Sequence, residues 1–399
     1  MSHSYWTISY PGLSAELTID KNFQSHNFYE LVSSCGVFCR LPREQQISLL
    51  NSLKQNNPSI EGVIFLTDTY NVEPMGVILR ESKIQHFILS FDIDKNINEL
   101  GLRINHTNFK DGTTFKELLK DHPRYLVIVS TPYSCPDLAP YISNQDTLAN
   151  RSSLFYFENK SIYCEKFRDE MGFIAYIESI DSLMKYLEDK QDNEKFFIKP
   201  SGNFVGGSNI LVLDKKALQF RKNINVVQHL LGTERCGLYR KLLSSNIVSP
   251  HGEHNGTQFR PFVNTKGELV GFAVKFSSYA TKSNLERTSL KRLNQAYNSS
   301  SGSSASIIFS TQDIITPVSL SFGKHKHITD KQVIEAYVDS LYINEHSLSK
   351  QETLCKISNA IKVKMVDINN YFEGFFFEQS WDDLYDKFVL SKTYFNAPT

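Results

Sequence analysis

The sequence predicts a doubly wound α/β domain over residues 1–150, followed by an α+β region over residues 151–399. Three observations support this division. The chain has 399 residues, which is enough for two or three domains. Its composition, 41% hydrophobic and 22% charged, is that of a globular protein. Short apolar runs alternate with amphipathic stretches in the first 150 residues, and this alternation then ends.

Three short apolar runs predict parallel strands in the first region, at residues 62–66, 87–89 and 125–129. Runs of this length, rich in β-branched residues, are typical of parallel strands that are buried on both faces. An amphipathic stretch at residues 43–54 predicts one of the connecting helices. No GxGxxG sequence follows these strands, so a structural or substrate-orienting domain is favoured over a dinucleotide-binding one.

The second region begins with predicted helices over residues 160–171 and 180–187, the first of which ends at Gly172. Glycine is a common residue just after a helix because it adopts the left-handed conformation without strain. Two later helices are predicted near residues 331–344 and 350–369. Strands are predicted at either end of the segment 196–213.

The balance of charge argues against nucleic acid or an anionic membrane as the partner. The 43 lysines and arginines equal the 43 aspartates and glutamates, so the formal net charge is zero. No apolar run reaches the roughly 18–20 residues that span a bilayer, and residues 1–11 do not have the pattern of a signal peptide. Six scattered cysteines without zinc spacing predict free thiols in a cytoplasmic protein. Whether the protein forms a homodimer is left open.

The segment 196–213 is the most informative one for chemistry. A predicted strand that carries Lys199 leads into a loop of glycine, serine and asparagine, and residues 210–213 return as a second strand. Glycines let backbone N–H groups approach phosphate oxygens closely, and lysine supplies a point charge. The candidate phosphate contacts in the loop are Gly202, Gly206, Gly207 and Ser208. No GKS or GKT follows, so this is not a Walker A loop. Taken alone, the pattern suits a flexible hairpin without a ligand equally well.

This segment, FFIKPSGNFVGGSNILVL, resembles the ATP-grasp superfamily, in which a strand of the form IKP precedes a flexible glycine-rich lid over the nucleotide phosphates. Upstream, residues 157–172 resemble the family segment that carries a first nucleotide-contacting lysine. The resemblance assigns that role to Lys160, which precedes Lys199 by the family's usual interval, with Asn159 where aspartate is common.

Two downstream segments extend the resemblance over residues 150–399. Residues 238–243 resemble the hinge strand whose backbone meets adenine, and the nucleotide contacts implied there are Arg240, Lys241 and Leu242. Residues 256–272 resemble a family hairpin in which Arg260 would face the γ-phosphate or an acyl-phosphate; the alternative is that Arg260 pairs with a surface acid. Glu253 is a candidate for the ribose hydroxyls, although an ordinary loop acid is favoured.

The metal site that the resemblance implies is less complete. Family members bind Mg²⁺ through an acidic residue on one strand and Glu-x-Asn on the next. Residues 374–378 would form the first strand with Glu378 as a ligand, and Asn396 matches the second. Tyr394 stands where the metal-binding glutamate is expected, and a neutral phenol is a poor Mg²⁺ ligand. Either an acid within residues 382–386 substitutes, or the alignment is shifted, or metal binding is impaired.

The resemblance implies a Rossmann-like pre-ATP-grasp domain followed by an ATP-grasp domain with a small lobe over residues 151–240 and a larger one over residues 241–399. It implies an ATP-dependent ligase that joins a small-molecule or peptide carboxylate to an amine through an acyl-phosphate. Lys160, Lys199 and Mg²⁺ would neutralise the transferred phosphoryl group, and Arg260 would stabilise the acyl-phosphate. The alternatives are a phosphotransferase that acts on a hydroxyl, and a catalytically impaired nucleotide-binding or interaction protein.

Overall fold

The protein is described from a computed structural model. The residues that the structure describes are 6–8, 12–20, 22–32, 40–56, 58, 61–68, 78–91, 103–104, 121–122, 124–129, 164, 168–192, 194–200, 210–233, 235–240, 247–248, 257–264, 268–276, 290, 293, 305–322, 326–343 and 348–378. In chain order, the strands within these ranges are β1 (Trp6–Ile8), β2 (Gly12–Ile19), β3 (Ser25–Val32), β4 (Gly62–Asp68), β5 (Gln85–Phe91), β6 (Arg103–Ile104), β7 (Tyr125–Val129), β8 (Phe173–Ile177), β9 (Phe196–Pro200), β10 (Leu211–Leu213), β11 (Cys236–Arg240), β12 (Ile247–Val248), β13 (Gln258–Asn264), β14 (Leu269–Phe276), β15 (Ala305–Ser310), β16 (Thr316–Phe322), β17 (Lys326–Ile328) and β18 (Tyr342–Ile343). The α-helices are α1 (Arg43–Asn56), α2 (Arg168–Met171), α3 (Ile180–Leu187), α4 (Arg221–Thr233), α5 (Lys331–Ser340) and α6 (Lys350–Glu378).

A five-stranded sheet forms from the first part of the chain. Its strand order is β1-β7-β4-β5-β6, and all neighbours are parallel except β5 and β6. The three apolar runs predicted to be parallel strands are thus confirmed, as β4, β5 and β7. Helix α1 confirms the helix predicted at residues 43–54. The Rossmann-like arrangement of helices around this sheet stays a prediction.

A seven-stranded antiparallel sheet draws its strands from both ends of the chain. Its order is β17-β16-β15-β14-β13-β2-β3, so two strands from the first 32 residues pair with strands beyond residue 257. The boundary predicted at residue 150 is therefore not a boundary between sheets. Strand β2 occupies the edge that β13 would otherwise leave open, and an open edge has unpaired backbone groups.

The two faces of this sheet differ in polarity. Leu17 on β2 lies opposite Phe259 on β13, which lies opposite Val274 on β14, and all three side chains are fully buried in the main hydrophobic core. Because side chains alternate along a strand, the neighbours Glu16 and Arg260 lie on the other face. That second face carries the candidate site.

Helix α6 contacts β2 and β3 with an apolar stripe. The buried residues of this stripe recur every three or four positions, the spacing of one helical face, and are Leu354, Ile357, Ile361, Met365 and Ile368. Helices α5 and α6 confirm that the two predicted helices exist, but α5 ends at Ser340, before strand β18, and α6 continues beyond residue 369 to Glu378. Within the described part of the chain, no helix has both the length and the apolar composition needed to cross a membrane.

The strand predicted at residues 374–378 is wrong, because α6 continues as a helix to Glu378. The apolar run there follows a helical stretch without a strong stop signal, and Gly374 alone does not end it. A short apolar run cannot be assigned to a strand or a helix from its pattern alone. The backbone at Glu378 is therefore helical, and its side chain lies outside the described residues.

A four-stranded antiparallel sheet with order β10-β9-β11-β8 forms the smaller unit. Strands β9 and β10 confirm the two strands predicted around the glycine-rich loop. Gly172 has a φ of 62° just after α2, which confirms the predicted helix end. Helix α3 matches its prediction and begins with a capping box in which Ser179 Oγ accepts from the N–H of Ser182 at 3.1 Å.

Helix α1 packs on the polar side of the large sheet, near β14 and β15. Gln45 Nε2 donates to the carbonyl oxygen of Val270 at 3.1 Å, and Ser310 Oγ donates to Gln45 Oε1 at 3.1 Å. Both Gln45 and Ser310 are buried. These side-chain hydrogen bonds join α1, the helix that precedes β4 of the parallel sheet, to the large antiparallel sheet.

We expect Gly271→Ala to destabilise this junction. A Cβ at Gly271 would lie 2.6 Å from the carbonyl oxygen of Phe309 and 2.8 Å from Cδ2 of Leu41, and the carbonyl belongs to a paired strand that cannot shift freely. Overpacking of this kind lowers the free energy of unfolding by about 1–3 kcal/mol, which urea denaturation measures. Gly232→Ala is the control, because a Cβ there meets nothing within 4 Å and alanine favours a helix. Equal stability of both variants would contradict the close contact.

Candidate functional site

Lys199 is held in a buried aromatic setting on β9. The residue is 6% exposed, and Nζ lies 4.9 Å from the ring centroid of Tyr239 and 5.5 Å from that of Phe197. Both rings attract the ammonium through the negative charge of their faces. Gly237 pairs with Lys199 across β9 and β11, and a Cβ on Gly237 would lie 2.8 Å from the Tyr239 ring. Glycine at this position leaves room for that ring.

Arg260 lies on β13, on the polar face of the large sheet. The register of β13 and β2 places it opposite Glu16, and its guanidinium forms a salt bridge with the Glu16 carboxylate. The Arg260 side chain is 20% exposed. The prediction that Arg260 faces a phosphate is not tested by this contact. Its alternative, pairing with an acid, is observed, but the acid is buried and not on the surface.

Glu16 is the centre of a cationic cluster. The carboxylate is buried, and Lys275 Nζ on β14 lies 3.5 Å from Glu16 Oε1, in addition to the pairing with Arg260. Burial by itself would raise the pKa of Glu16. The opposing charges of Arg260 and Lys275, the hydrogen bond from Arg260, and the charge of Lys199 outweigh burial and lower that pKa to about 2. Glu16 is therefore ionised at neutral pH.

Two of the predicted residues, Lys199 and Arg260, carry charges that lower the pKa of Glu16. Lys199 belongs to the four-stranded sheet and Arg260 to the seven-stranded sheet, and both act on the charge of Glu16. This group of Lys199, Arg260, Lys275 and Glu16 is called the cationic cluster below.

Sequence reasoning missed Glu16 and Lys275. Each is the one charged residue of its strand: Glu16 in GLSAELTI and Lys275 in LVGFAVKF. That single charge among uncharged residues was the available signal. A charge in such a strand costs desolvation energy unless it is paired. The pairing could not be found from the sequence, because 244 positions separate Glu16 from Arg260.

Arg240 is the remaining predicted contact whose side chain is described. It ends β11, its side chain is 59% exposed, and Nε lies 3.8 Å from a carboxylate oxygen of Glu194. Its backbone N–H donates to the carbonyl oxygen of Gly172 at 2.6 Å. The nucleotide role of Arg240 stays a prediction. The predicted site residues that lie outside the described residues are Lys160, Gly202, Gly206, Gly207, Ser208, Lys241, Leu242, Glu253 and Asn396.

The described residues contain no cluster of metal-binding side chains. No group of three or more histidine, cysteine, aspartate or glutamate side chains that could hold a metal occurs among them. The carboxylate of Glu16 is already surrounded by cations, which would repel a divalent cation. A metal role for Glu378 and Asn396 stays a prediction.

This chain has little similarity to known proteins. No family model matches the chain, and no curated protein matches it. Among solved structures, a similar chain is N5-carboxyaminoimidazole synthetase from Staphylococcus aureus, solved in complex with ADP, at 9% identity and a TM-score of 0.32. The match covers 73% of this chain and 69% of that one. At that TM-score the likeness carries no argument about fold or function, so the functional argument rests on the residues of this chain.

Proposed function

We propose that the protein is an ATP-dependent carboxylate–amine ligase that forms an amide or peptide bond through an acyl-phosphate. One observation supports this most: Arg260 forms a salt bridge with the buried carboxylate of Glu16, and the charge of Lys199, on the other sheet, also helps to lower the pKa of that carboxylate. Lys199 also lies at the start of the glycine-rich loop that resembles a phosphate-binding lid. A nucleotide bound between the sheets would have its phosphates beside these cations.

The charges of the cationic cluster suit phosphoryl transfer. Three of its four residues are cationic, and their positions are fixed by strand pairing and aromatic contacts before any ligand binds. Cations that are already in place stabilise the negative charge of a transferred phosphoryl group without a cost for reorganisation. Glu16 holds Arg260 and Lys275 in position, which makes it a positioning residue in this proposal.

In the proposed reaction, an oxygen of the acid substrate attacks the γ-phosphorus of ATP, and the bond to the β-phosphate oxygen breaks to release ADP. The amine nitrogen then attacks the acyl carbon, phosphate leaves with the bonding electrons, and the amine loses a proton to water. Lys199 would hold the phosphates during the first step, and Arg260 would stabilise the acyl-phosphate. Mg²⁺, if it is held by Glu378 and Asn396, would add Lewis-acid stabilisation of the phosphates.

The test is nucleotide binding followed by product analysis. We expect MgADP to raise the melting temperature of the full chain by mass action, and MgATP with a matching acid and amine to release phosphate and form an amide. A screen of amino acids, peptides and small acids would identify the substrates. A phosphorylated alcohol without an amide would instead identify a phosphotransferase, and a chain that does not bind MgADP is not this ligase.

A further inference from the structure

Cross-strand neighbours fix the ring of Tyr239 within the four-stranded sheet. The strand register places Tyr239 on β11 between Phe173 on β8 and Phe197 on β9. The rings of Phe173 and Tyr239 pack edge to face, with their centroids 5.3 Å apart and an angle of 60° between their planes. Tyr239 is 1% exposed, and both neighbours are buried as well. A ring that is enclosed in this way is held in one position by close packing.

The phenol end of this ring lies over Gly237, two residues back along β11. A Cβ at Gly237 would lie 2.8 Å from Cε2 of Tyr239 and 3.0 Å from its hydroxyl oxygen, so the ring occupies the space that any other side chain would need. Gly237 is also the cross-strand partner of Lys199. The ring therefore extends toward Lys199, whose Nζ lies over it at 4.9 Å from the centroid.

Two attractions act on the ammonium of Lys199. One is the ring face of Tyr239, which carries negative charge and attracts a cation more strongly when the contact is shielded from water. Lys199 is 6% exposed, so this contact is shielded. The other attraction is the buried carboxylate of Glu16, with which the charge of Lys199 interacts. An ammonium drawn fully to that carboxylate would be less available to a phosphate.

We infer that Tyr239 is a positioning residue, whose ring holds the Lys199 ammonium where it binds the nucleotide phosphates. The inference rests on the proposed function, in which Lys199 holds those phosphates. When the attraction of the ring is weakened, the ammonium spends less time in this position, and the apparent affinity for the nucleotide falls by the same fraction. A cation–π contact corresponds to about a threefold to thirtyfold change in such an equilibrium.

Fluorination of the ring tests the inference in the full chain. Tyr239→Phe is the reference variant, and position 239 then receives a monofluorinated and a trifluorinated phenylalanine. Each fluorine withdraws negative charge from the ring face, while the size and shape of the ring change little. Isothermal titration with MgADP measures the affinity at a temperature at which every variant is folded. We expect the affinity to fall in steps along this series, by about tenfold from the reference to the trifluorinated ring.

The same series at position 186 is the matched control. The ring of Tyr186 has Lys190 Nζ at 4.9 Å from its centroid and packs edge to face on Phe196, yet Lys190 is not a member of the cationic cluster. We expect fluorination there to leave the MgADP affinity unchanged.

The outcomes separate this inference from the proposed function. If the wild type binds MgADP and the affinity stays constant along the series at position 239, the ring only fills space and this inference alone is wrong. An equal fall at positions 186 and 239 also overturns it, because the effect would then not depend on Lys199. A wild type that does not bind MgADP defeats the proposed function, and this inference with it.

Discussion

Replacement of Lys199 by alanine is expected to weaken MgADP binding about ten- to a hundredfold, the usual cost of losing a hydrogen bond to a charged group. The rate of phosphate release is expected to fall about 10²–10³-fold, as when one preorganised donor to a transition state is removed. The reason is the position of Lys199: its ammonium is held against Tyr239 and acts on the same carboxylate as Arg260. Isothermal titration with MgADP and a phosphate-release assay measure the two effects.

Lys190→Ala is the matched control for this variant. Lys190 Nζ lies 4.9 Å from the ring centroid of Tyr186, the same distance as that between Lys199 and Tyr239, so both variants lose a similar cation–π contact. Lys190 follows α3 and is not a member of the cationic cluster. We expect Lys190→Ala to bind MgADP like the wild type. Equal loss in both variants would mean that the effect of Lys199→Ala is structural.

Replacement of Glu16 by glutamine is expected to lower the free energy of unfolding by about 3 kcal/mol. Removing one partner of a buried ion pair leaves the other charges desolvated and uncompensated. Here the charges left behind are those of Arg260 and Lys275, whose side chains are 20% and 18% exposed. Denaturant unfolding at pH 7 measures the change. Glu335→Gln is the control, because the salt bridge of Glu335 with Lys331 lies in solvent and is worth at most about 1 kcal/mol.

The lowered pKa of Glu16 predicts that the free energy of unfolding depends on pH. The pKa of Glu16 falls from 4.5 to about 2 on folding, so the folded state favours the ionised form. The resulting stabilisation is present in full above pH 4.5 and is lost as the pH falls from 4.5 to 2; the shift corresponds to about 3 kcal/mol. The difference in unfolding free energy between wild type and Glu16→Gln should therefore shrink across this window. A constant difference from pH 5 to pH 2.5 would contradict the lowered pKa.

Variants of Glu16 also test whether the position of Arg260 matters for the rate of the reaction. If it holds Arg260 for the transition state, Glu16→Gln should lower kcat more than it raises the KM for ATP, because Lys199 still holds the nucleotide. Glu16→Asp, which keeps the charge, should restore part of kcat. A purely structural role would lower the amount of folded enzyme without changing kcat per folded molecule.

Local patterns in the sequence determined much of this protein. The apolar runs of β4, β5 and β7, the ends of α3 and the pair of strands around the glycine-rich loop follow from the spacing of neighbouring residues. The same reasoning predicted site roles for Lys199 and Arg260, through a resemblance in the segments around them, and those roles stay a prediction. It was wrong at residues 374–378, where a short apolar run continues α6.

Only the tertiary structure decided what surrounds these residues. The pairing of β2 with β13 places Glu16 opposite Arg260, and the pairing of β14 with β15 places Lys275 opposite Ser306. The physical reason is that the register between strands far apart in the chain is set by the packing of the whole buried face, here Leu17 against Phe259, and not by the residues near each strand. Sequence patterns show which side chains a strand carries, whereas the neighbours that neutralise a buried charge depend on the fold.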